Sequence, residues 1–336
     1  QAKTLFPYTT LFRSKSFSDY LKEHKNDAAT YKKGFALYSI DKYEDAIQTI
    51  NGLLKTDSLG QKAYYLQGLA QLKLGKKTEA AESFNQSGAL AFDANQQEEA
   101  QFKSISIAID LGNWLKGLKS IAQFGKTYPS SSFTAAYQSF AADAILKLPE
   151  LAPATDFMKS GVPVSEELKV AYQTLTYNLG IKAYNKEQYK EAISYFDKAI
   201  SQAANQNVTD EASFGKAECL SQLKDFEAAI QVYKPLLSGK HSADFLQRNR
   251  IGIAYAYFSV KEFTNANTYF KTYVDQLKAN PTKSYTVKLI GGKQRLGFKH
   301  TDGLVIGLDN DFRFSKDSAT NQWSGGFSFV NKNEPY

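Results

Sequence analysis

Cysteine is almost absent from this chain of 336 residues. Cys219 is the only one, so no intramolecular disulfide can form. It lies in a helical pattern between Ala217 and Leu220, which favours a small buried residue over a nucleophile. Long apolar runs are missing as well, because no stretch reaches the roughly 20 apolar residues of a membrane-spanning helix.

Histidine is also scarce, and the three residues His24, His241 and His300 are far apart in sequence. None belongs to an HExxH or HxH motif. The acidic segment 302–311 lacks the loop and closing Glu of an EF-hand, and glycine-rich residues 290–297 lack the spacing of a P-loop. The sequence therefore predicts no catalytic residues, no metal ion, no cofactor and no enzymatic activity.

The charge is mildly basic and evenly distributed. The formal net charge is +7 and the isoelectric point is near 9.0, but no run of five like charges occurs. Lysines mostly occupy positions expected to be exposed on helices. This pattern favours a solvated surface, and we expect no nucleic-acid partner.

A recurring phrase is what the sequence does contain. Residues 187–196 (EQYKEAISYF) are echoed at 224–233 and 261–270, and a related phrase stands at 41–50. The aromatic residues Tyr189, Phe226 and Phe263 are spaced by 37, and the pair Gly34 and Gly68 by 34. A period in this range indicates an array of structural repeats.

Each repeat reads as two helices. In the second unit, residues 62–75 form the first predicted helix and residues 77–90 the second. Tyr65, Gly68, Leu69 and Leu72 make the apolar stripe of an amphipathic helix. Gly68 and Ala80 are expected where helices approach closely, with the ring of Phe84 filling the remaining space.

These residue types at these offsets resemble the tetratricopeptide repeat (TPR) family. The resemblance implies an all-α fold over residues 17–284, a right-handed α-solenoid of about seven TPR-like helical hairpins. Residues 132–160 would be a degenerate fourth unit with a short second helix, interrupted by Pro149 and Pro153. The spacing of 37 exceeds the usual TPR period by about three residues, so either helices or inter-repeat turns, such as residues 201–213, should be longer.

The resemblance also implies a function. The first helices of TPR arrays line a concave groove, so we predict a protein–protein interaction scaffold that binds a peptide or partner helix of unknown identity. The predicted groove residues are Tyr31, Tyr38, Tyr65, Tyr177, Tyr184, Tyr255 and Phe258. The alternative is that these aromatics only pack neighbouring repeats. The positions of the family's carboxylate clamp carry mainly Tyr and apolar residues, so recognition of a peptide C-terminus is not expected.

Unit ends such as KTYPSSS (127–133) resemble those of bacterial cell-envelope TPR proteins. This likeness favours the bacterial periplasm or the outer-membrane periphery over the cytoplasm. Residues 4–14 resemble the translation of a sequencing-adapter oligonucleotide. We therefore expect residues 1–16 to be an artefactual arm of a metagenomic gene fragment, the alternative being a genuine apolar or disordered arm.

The pattern changes after Tyr285. Apolar residues alternate, and glycine and aspartate are frequent, which predicts short antiparallel strands near 286–290, 295–299, 303–314 and 322–331 with a hairpin loop at 315–322. Residues 285–336 could be a small appendage, the start of a truncated β domain, or a chimeric join. A second hypothesis for function follows: the array tethers a β domain that carries the distinguishing activity, such as carbohydrate binding, outer-membrane assembly or catalysis.

Overall fold

A computed structural model of the chain describes Asp19, residues 26–279, and residues 287–290, 293–296, 310–316 and 323–329. The chain divides into two compact units, with the boundary between Lys261 and Glu262. The predicted arm at residues 1–16 and the predicted domain boundary between residues 284 and 285 lie outside the described residues. Both stay predictions.

Every element described in the first unit is a helix. The helices form hairpins in which the odd-numbered helix is the first helix and the even-numbered helix is the second. Helix α13, a first helix, is the last helix of this unit. Their bounds are α1 Asp27–Ser39, α2 Tyr43–Ile50, α3 Ser58–Lys73, α4 Lys77–Ala89, α5 Ala94–Asp110, α6 Trp114–Thr127, α7 Thr134–Leu146, α8 Ala152–Met158, α9 Glu166–Tyr184, α10 Tyr189–Gln202, α11 Gln206–Gln222, α12 Phe226–Leu236 and α13 Ala243–Ser259. A short 3-10 helix, Asn51–Leu53, follows α2. The predicted all-α solenoid of helical hairpins is confirmed.

The first helices form a continuous layer. Each of α1, α3, α5, α7, α9 and α11 contacts the next first helix, whereas the second helices mostly contact first helices on either side. Because neighbouring first helices approach one another more closely than neighbouring second helices do, they occupy the inner side of the curve in this unit. We call the surface of this layer the inner face.

Glycine and alanine allow the helices to approach where the sequence predicts it. A Cβ atom added at Gly68 would lie 2.9 Å from the ring of Phe84 on α4. The ring of Phe196 on α10 lies between two glycines of successive first helices: added Cβ atoms would lie 2.7 Å away at Gly180 and 2.6 Å away at Gly215. These distances are shorter than any real contact, so only glycine fits.

The fourth hairpin is degenerate, as the sequence predicts. Its second helix, α8, has only seven residues, and Pro153 lies in the first turn, where its missing N–H is tolerated. Helix α8 packs against α6, and α9 instead packs directly against α7. The side chain of Val162, beyond α8, comes within 2.9 Å of the Cβ position of Gly125 on α6.

Between α9 and α11 the extra length lies in a helix and not in the turn. The second helix α10 has 14 residues, against 8 in α2 of the shorter first repeat. Of residues 201–213, only 203–205 are outside a helix, and Asn205 caps α11 by accepting from the N–H of Val208. The predicted start of α3 at residue 62 is wrong by one turn. Helix α3 begins at Ser58 because Asp57 caps it by accepting from the N–H of Gly60, 2.6 Å away.

Buried polar side chains of first helices bind the loop that leads to the next repeat. Gln173 on α9 is fully buried. Its Nε2 donates to the carbonyl of Ala199 at 3.0 Å, and its Oε1 accepts from the N–H of Asn205 at 2.7 Å. A carbonyl in the last turn of α10 and an N–H in the connection to α11 thereby gain hydrogen-bond partners inside the protein.

The same helix position serves the same purpose in other hairpins. The equivalent pairs are Gln61 with Asp93, Glu98 with Ser131, and Asp210 with His241. In Gln61 the amide again both donates to and accepts from the loop backbone. We call Gln61, Glu98, Gln173 and Asp210 the loop-binding residues.

The second unit begins with helix α14, Phe263–Ala279, the second predicted helix of the seventh repeat. Four strands follow: β1 Val287–Ile290, β2 Lys293–Leu296, β3 Asn310–Lys316 and β4 Trp323–Phe329. They form one antiparallel sheet in the order β1-β2-β3-β4. Lys316 pairs with Trp323, so the hairpin connection falls within the predicted loop 315–322.

The turns between first and second helices generate a stability prediction. Gly75 and Gly112 have φ of 74° and 76°, and Lys224 holds the equivalent left-handed position with φ of 64°. A side chain there costs about 1 kcal/mol, so Lys224→Gly should raise the free energy of unfolding by about that amount. Lys119→Gly, in the exposed middle of α6, should lower it by about 1 kcal/mol. Urea unfolding curves measure both free energies of unfolding. A Lys224→Gly variant that is less stable than the wild-type chain would show that the left-handed backbone conformation at Lys224 is not a source of strain.

The loop-binding residues generate a second prediction. Gln173→Leu keeps the side-chain volume but leaves a buried carbonyl and a buried N–H without partners. It should lower the free energy of unfolding by about 2 to 6 kcal/mol, at about 1 to 3 kcal/mol for each unpaired group. Gln231→Leu, on the exposed surface of α12, should change it by less than about 0.5 kcal/mol. Equal effects of the two substitutions in chemical denaturation would show that the loop contact does not stabilise the array.

Candidate partner-binding face

All seven predicted groove residues lie on first helices and are partly buried: Tyr31 and Tyr38 on α1, Tyr65 on α3, Tyr177 and Tyr184 on α9, and Tyr255 and Phe258 on α13. Phe35, also on α1, is 52% exposed. Helices α9, α11 and α13 are consecutive in the inner layer, so the residues on α9 and α13 flank α11. Those on α1 and α3 occupy the opposite end of the unit.

Most of these tyrosines pack one side of the ring against another aromatic residue. The centroid distances are 5.5 Å for Tyr38–Tyr43, 5.5 Å for Tyr65–Phe84, 6.0 Å for Tyr177–Phe196, 5.5 Å for Tyr184–Tyr189 and 5.8 Å for Tyr255–Phe226. In each pair the partner belongs to a second helix. Packing within and between repeats therefore fixes the rings, while each residue keeps part of its surface exposed.

The phenol groups of three of these tyrosines reach the next first helix. Burial raises the pKa of Tyr65, and a hydrogen bond to Glu99 on α5 raises it further. Burial, followed by the charge of Glu218 on α11, raises the pKa of Tyr184. Burial and then Glu211 raise the pKa of Tyr177 to about 12, against a smaller opposing effect of Arg248. These phenols are therefore neutral at physiological pH and able to donate hydrogen bonds.

Arg248 on α13 is held rigidly between helices. Its guanidinium donates to both carboxylate oxygens of Glu211, at 3.0 and 2.5 Å, and to Asp244 at 3.3 Å. It also lies 4.9 Å from the ring centroid of Phe214 and 5.4 Å from that of Phe245. Two-pronged pairing and aromatic stacking are the contacts that suit arginine better than lysine.

Glu218 on α11 faces the same region in a different way. The hydroxyl of the fully buried Tyr233 on α12 donates to its carboxylate. Burial raises the pKa of Glu218, against smaller opposing effects of Tyr233 and Arg248. The neighbouring Cys219 is fully buried, as the sequence predicts, and burial followed by the charge of Glu218 raises the pKa of its thiol to about 12.

The sequence did not predict an aromatic cluster that lies between the groove residues of α1 and α3 and those of α9 and α13. The rings of Phe102 on α5 and Phe133 are stacked with centroids 4.2 Å apart, and Phe140 on α7 lies 5.8 Å from Phe102. Phe102 is 37 residues after Tyr65 and occupies the equivalent place. The period would have located it, but Ile105 stands where the other units have a small residue, so the pattern was not extended through α5.

Within residues 26–279 and the described strands, no group of three or more His, Cys, Asp or Glu side chains is arranged to hold a metal ion. Among the helices that the structure describes, none is both long and apolar enough to span a membrane.

Comparisons with known proteins agree with this geometry. A family model described as "Tetratricopeptide repeat" matches residues 31–94 and 177–241, which contain five of the seven predicted groove residues. A TPR repeat-containing protein of Methanocaldococcus jannaschii is 24% identical, and the alignment covers 87% of this chain. The chain spans 60% of the length of that relative.

Solved structures with similar folds include other TPR proteins. The C-terminal part of a TPR repeat-containing protein from Cytophaga hutchinsonii is 16% identical, with a TM-score of 0.37 and coverage of 76% of this chain and 96% of that one. A complex described as Naa15/Naa10 bound to HypK-THB gives 14% identity, a TM-score of 0.49, and coverage of 84% and 43%. The family-model matches and the repeated helical hairpins lead to one conclusion: residues 31–94 and 177–241 of this chain are similar to tetratricopeptide repeats.

Proposed function

We propose that the inner face of the first unit binds a protein partner, presented as an extended peptide or as a helix. The observation that carries this proposal is the set of partly exposed tyrosines on first helices, most of them packed against the ring of a second-helix residue. Tyr and Phe offer a large contact area at low cost in conformational entropy, and packing against Phe196 or Phe84 removes much of the remaining freedom before binding. A tetratricopeptide repeat fold is consistent with such a scaffold.

We infer that this unit acts by binding and not by catalysis. Several of its charged inner-face groups are already paired with each other, as with Arg248 and Glu211. The thiol of Cys219 is a poor nucleophile, since a pKa of about 12 leaves it protonated at physiological pH. A role in the bacterial cell envelope stays a prediction from the unit ends of the sequence.

Binding through the inner face predicts which substitutions weaken it. The full chain is used to select twelve-residue peptides from a random display library, and the affinity of a selected peptide is measured by fluorescence anisotropy. Replacing Tyr177, Tyr184 and Tyr255 together by Ala should weaken binding at least about tenfold, because each partly exposed ring contributes on the order of 1 kcal/mol.

Two controls make this result interpretable. Tyr195→Ala removes a partly buried ring from the second helix α10 and should leave the affinity within about twofold. Replacing the same three tyrosines by Phe keeps the packed rings and should weaken binding less than the Ala variant does. Full affinity in the Ala variant, with a native far-ultraviolet circular dichroism spectrum, would exclude the inner face as the binding surface.

A further inference from the structure

Glu218 has no cationic partner, unlike Glu99, Glu211 and Asp244 on the same layer of helices. Asp244 and Glu211 are paired with Arg248, at 3.3 and 2.5 Å, and Glu99 is paired with Lys103 at 3.3 Å. Among the described residues, no Lys, Arg or His lies within ion-pair distance of Glu218.

The contacts of Glu218 leave half of its carboxylate open. The hydroxyl of Tyr233 donates to Oε1, and no donor from the described residues reaches Oε2. Glu218 itself is partly exposed. Its position one residue after Ala217 corresponds to that of Tyr255 after Ala254 on α13, so its side chain stands in the row of the predicted groove residues.

The groups around Glu218 favour a cation over an anion. The titratable and charged groups that act on it are Tyr184 from α9, Tyr233 from α12, Arg248 from α13 and the adjacent Cys219. The phenols and the thiol are neutral at physiological pH, and Arg248 is already shared by two carboxylates. Glu211, Glu218 and Asp244 thus face a single guanidinium, which leaves this part of the inner face negative in a chain whose net charge is +7.

Desolvation gives a cationic ligand an energetic advantage here. A partly buried carboxylate without a counter-ion is unfavourable, and an arriving ammonium or guanidinium group would supply the missing partner as a charge-assisted hydrogen bond. Tyr184 lies on α9, which packs against the helix α11 of Glu218, and the charge of Glu218 acts on its phenol. The ring of Tyr184 packs against Tyr189, 5.5 Å away. An aromatic ring next to a carboxylate is a combination that suits the stem and the charge of Lys or Arg.

We propose that Glu218 and Tyr184 form a pocket on the inner face for a Lys or Arg side chain of the peptide partner. This inference rests on the proposed function, because it assigns the chemistry of one anchor within the same binding surface. The partner is therefore a peptide or helix with a cationic residue at a fixed position, flanked by residues that contact the tyrosines of α9 and α13.

The test compares charged and uncharged versions of one peptide. Twelve-residue random peptides are selected on the full chain, and Lys or Arg should be enriched at one position. In the selected peptide, replacing that residue by norleucine, which keeps the aliphatic stem, should weaken binding to the wild-type chain about tenfold or more. With Glu218→Gln the same replacement should change the affinity less than about twofold.

Glu227→Gln is the matched control. Glu227 is exposed in the first turn of α12, and its substitution should preserve the full tenfold preference for the charged peptide. Glu218→Gln keeps an acceptor for the hydroxyl of Tyr233, so the variant is expected to fold. Thermal unfolding and circular dichroism check this for both variants.

The pH dependence gives a readout that a purely structural role of Glu218 would not produce. The folded pKa of Glu218 is raised, so its carboxyl is protonated at low pH and becomes ionised as the pH rises through that value. A lysine of the peptide stays protonated throughout, since its ordinary pKa is about 10.4. Affinity for the charged peptide should therefore increase as the pH rises above the ordinary range of a glutamate carboxyl in the wild-type chain and stay flat in Glu218→Gln.

The outcomes separate this inference from the proposed function. If selected peptides bind and depend on the tyrosines but show no cationic preference, the pocket is refuted while the binding face stands. If the preference survives in Glu218→Gln, the pocket is refuted as well. If no peptide binds the full chain, both proposals fail.

Discussion

The rest of the first unit depends on how closely an aromatic side chain of a second helix can lie between two first helices. Phe196 is the clearest case, because its ring contacts the backbone of Gly180 on one helix and of Gly215 on the next. Neither position has room for even one methyl group. The thickness of the Phe196 ring therefore sets the distance between these two neighbouring helices of the inner layer. The same distance sets the spacing between the side chains on the surface of this layer.

Packing between repeats does not preclude the partner binding that we propose for the tyrosines of the inner face. The ring of Tyr177 packs on Phe196 and so takes part in the contact that sets the helix spacing, yet the residue stays partly exposed. A surface of this kind is ordered before any partner arrives. Under the proposed function, binding would cost little side-chain entropy, and its specificity would depend on the polar groups between the rings, such as Glu218 and the Arg248–Glu211 pair.

Regular features of the repeats could be predicted, and features that depend on three-dimensional neighbours could not. The recurrence of small and aromatic residues located the hairpins, the degenerate fourth unit, and the seven residues of the predicted groove on first helices. It did not locate Phe102, since Ile105 breaks the local pattern, nor the early start of α3, which depends on a cap at Asp57. Whether Glu218 is paired is decided by side chains from α9, α12 and α13, which no pattern within α11 records.

The loop-binding residues change where one structural module ends and the next begins. Gln173 belongs to α9. Its Nε2 donates to Ala199 in the last turn of α10, but its Oε1 accepts from Asn205 in the segment that introduces α11, beyond the end of its own hairpin. A hairpin cut out at its two helix termini would therefore carry an amide oxygen with no loop N–H to accept from and leave behind a loop N–H without its acceptor. The exchangeable unit for building new arrays from this chain is accordingly not a hairpin: it runs from one loop-binding residue to the loop that this residue holds.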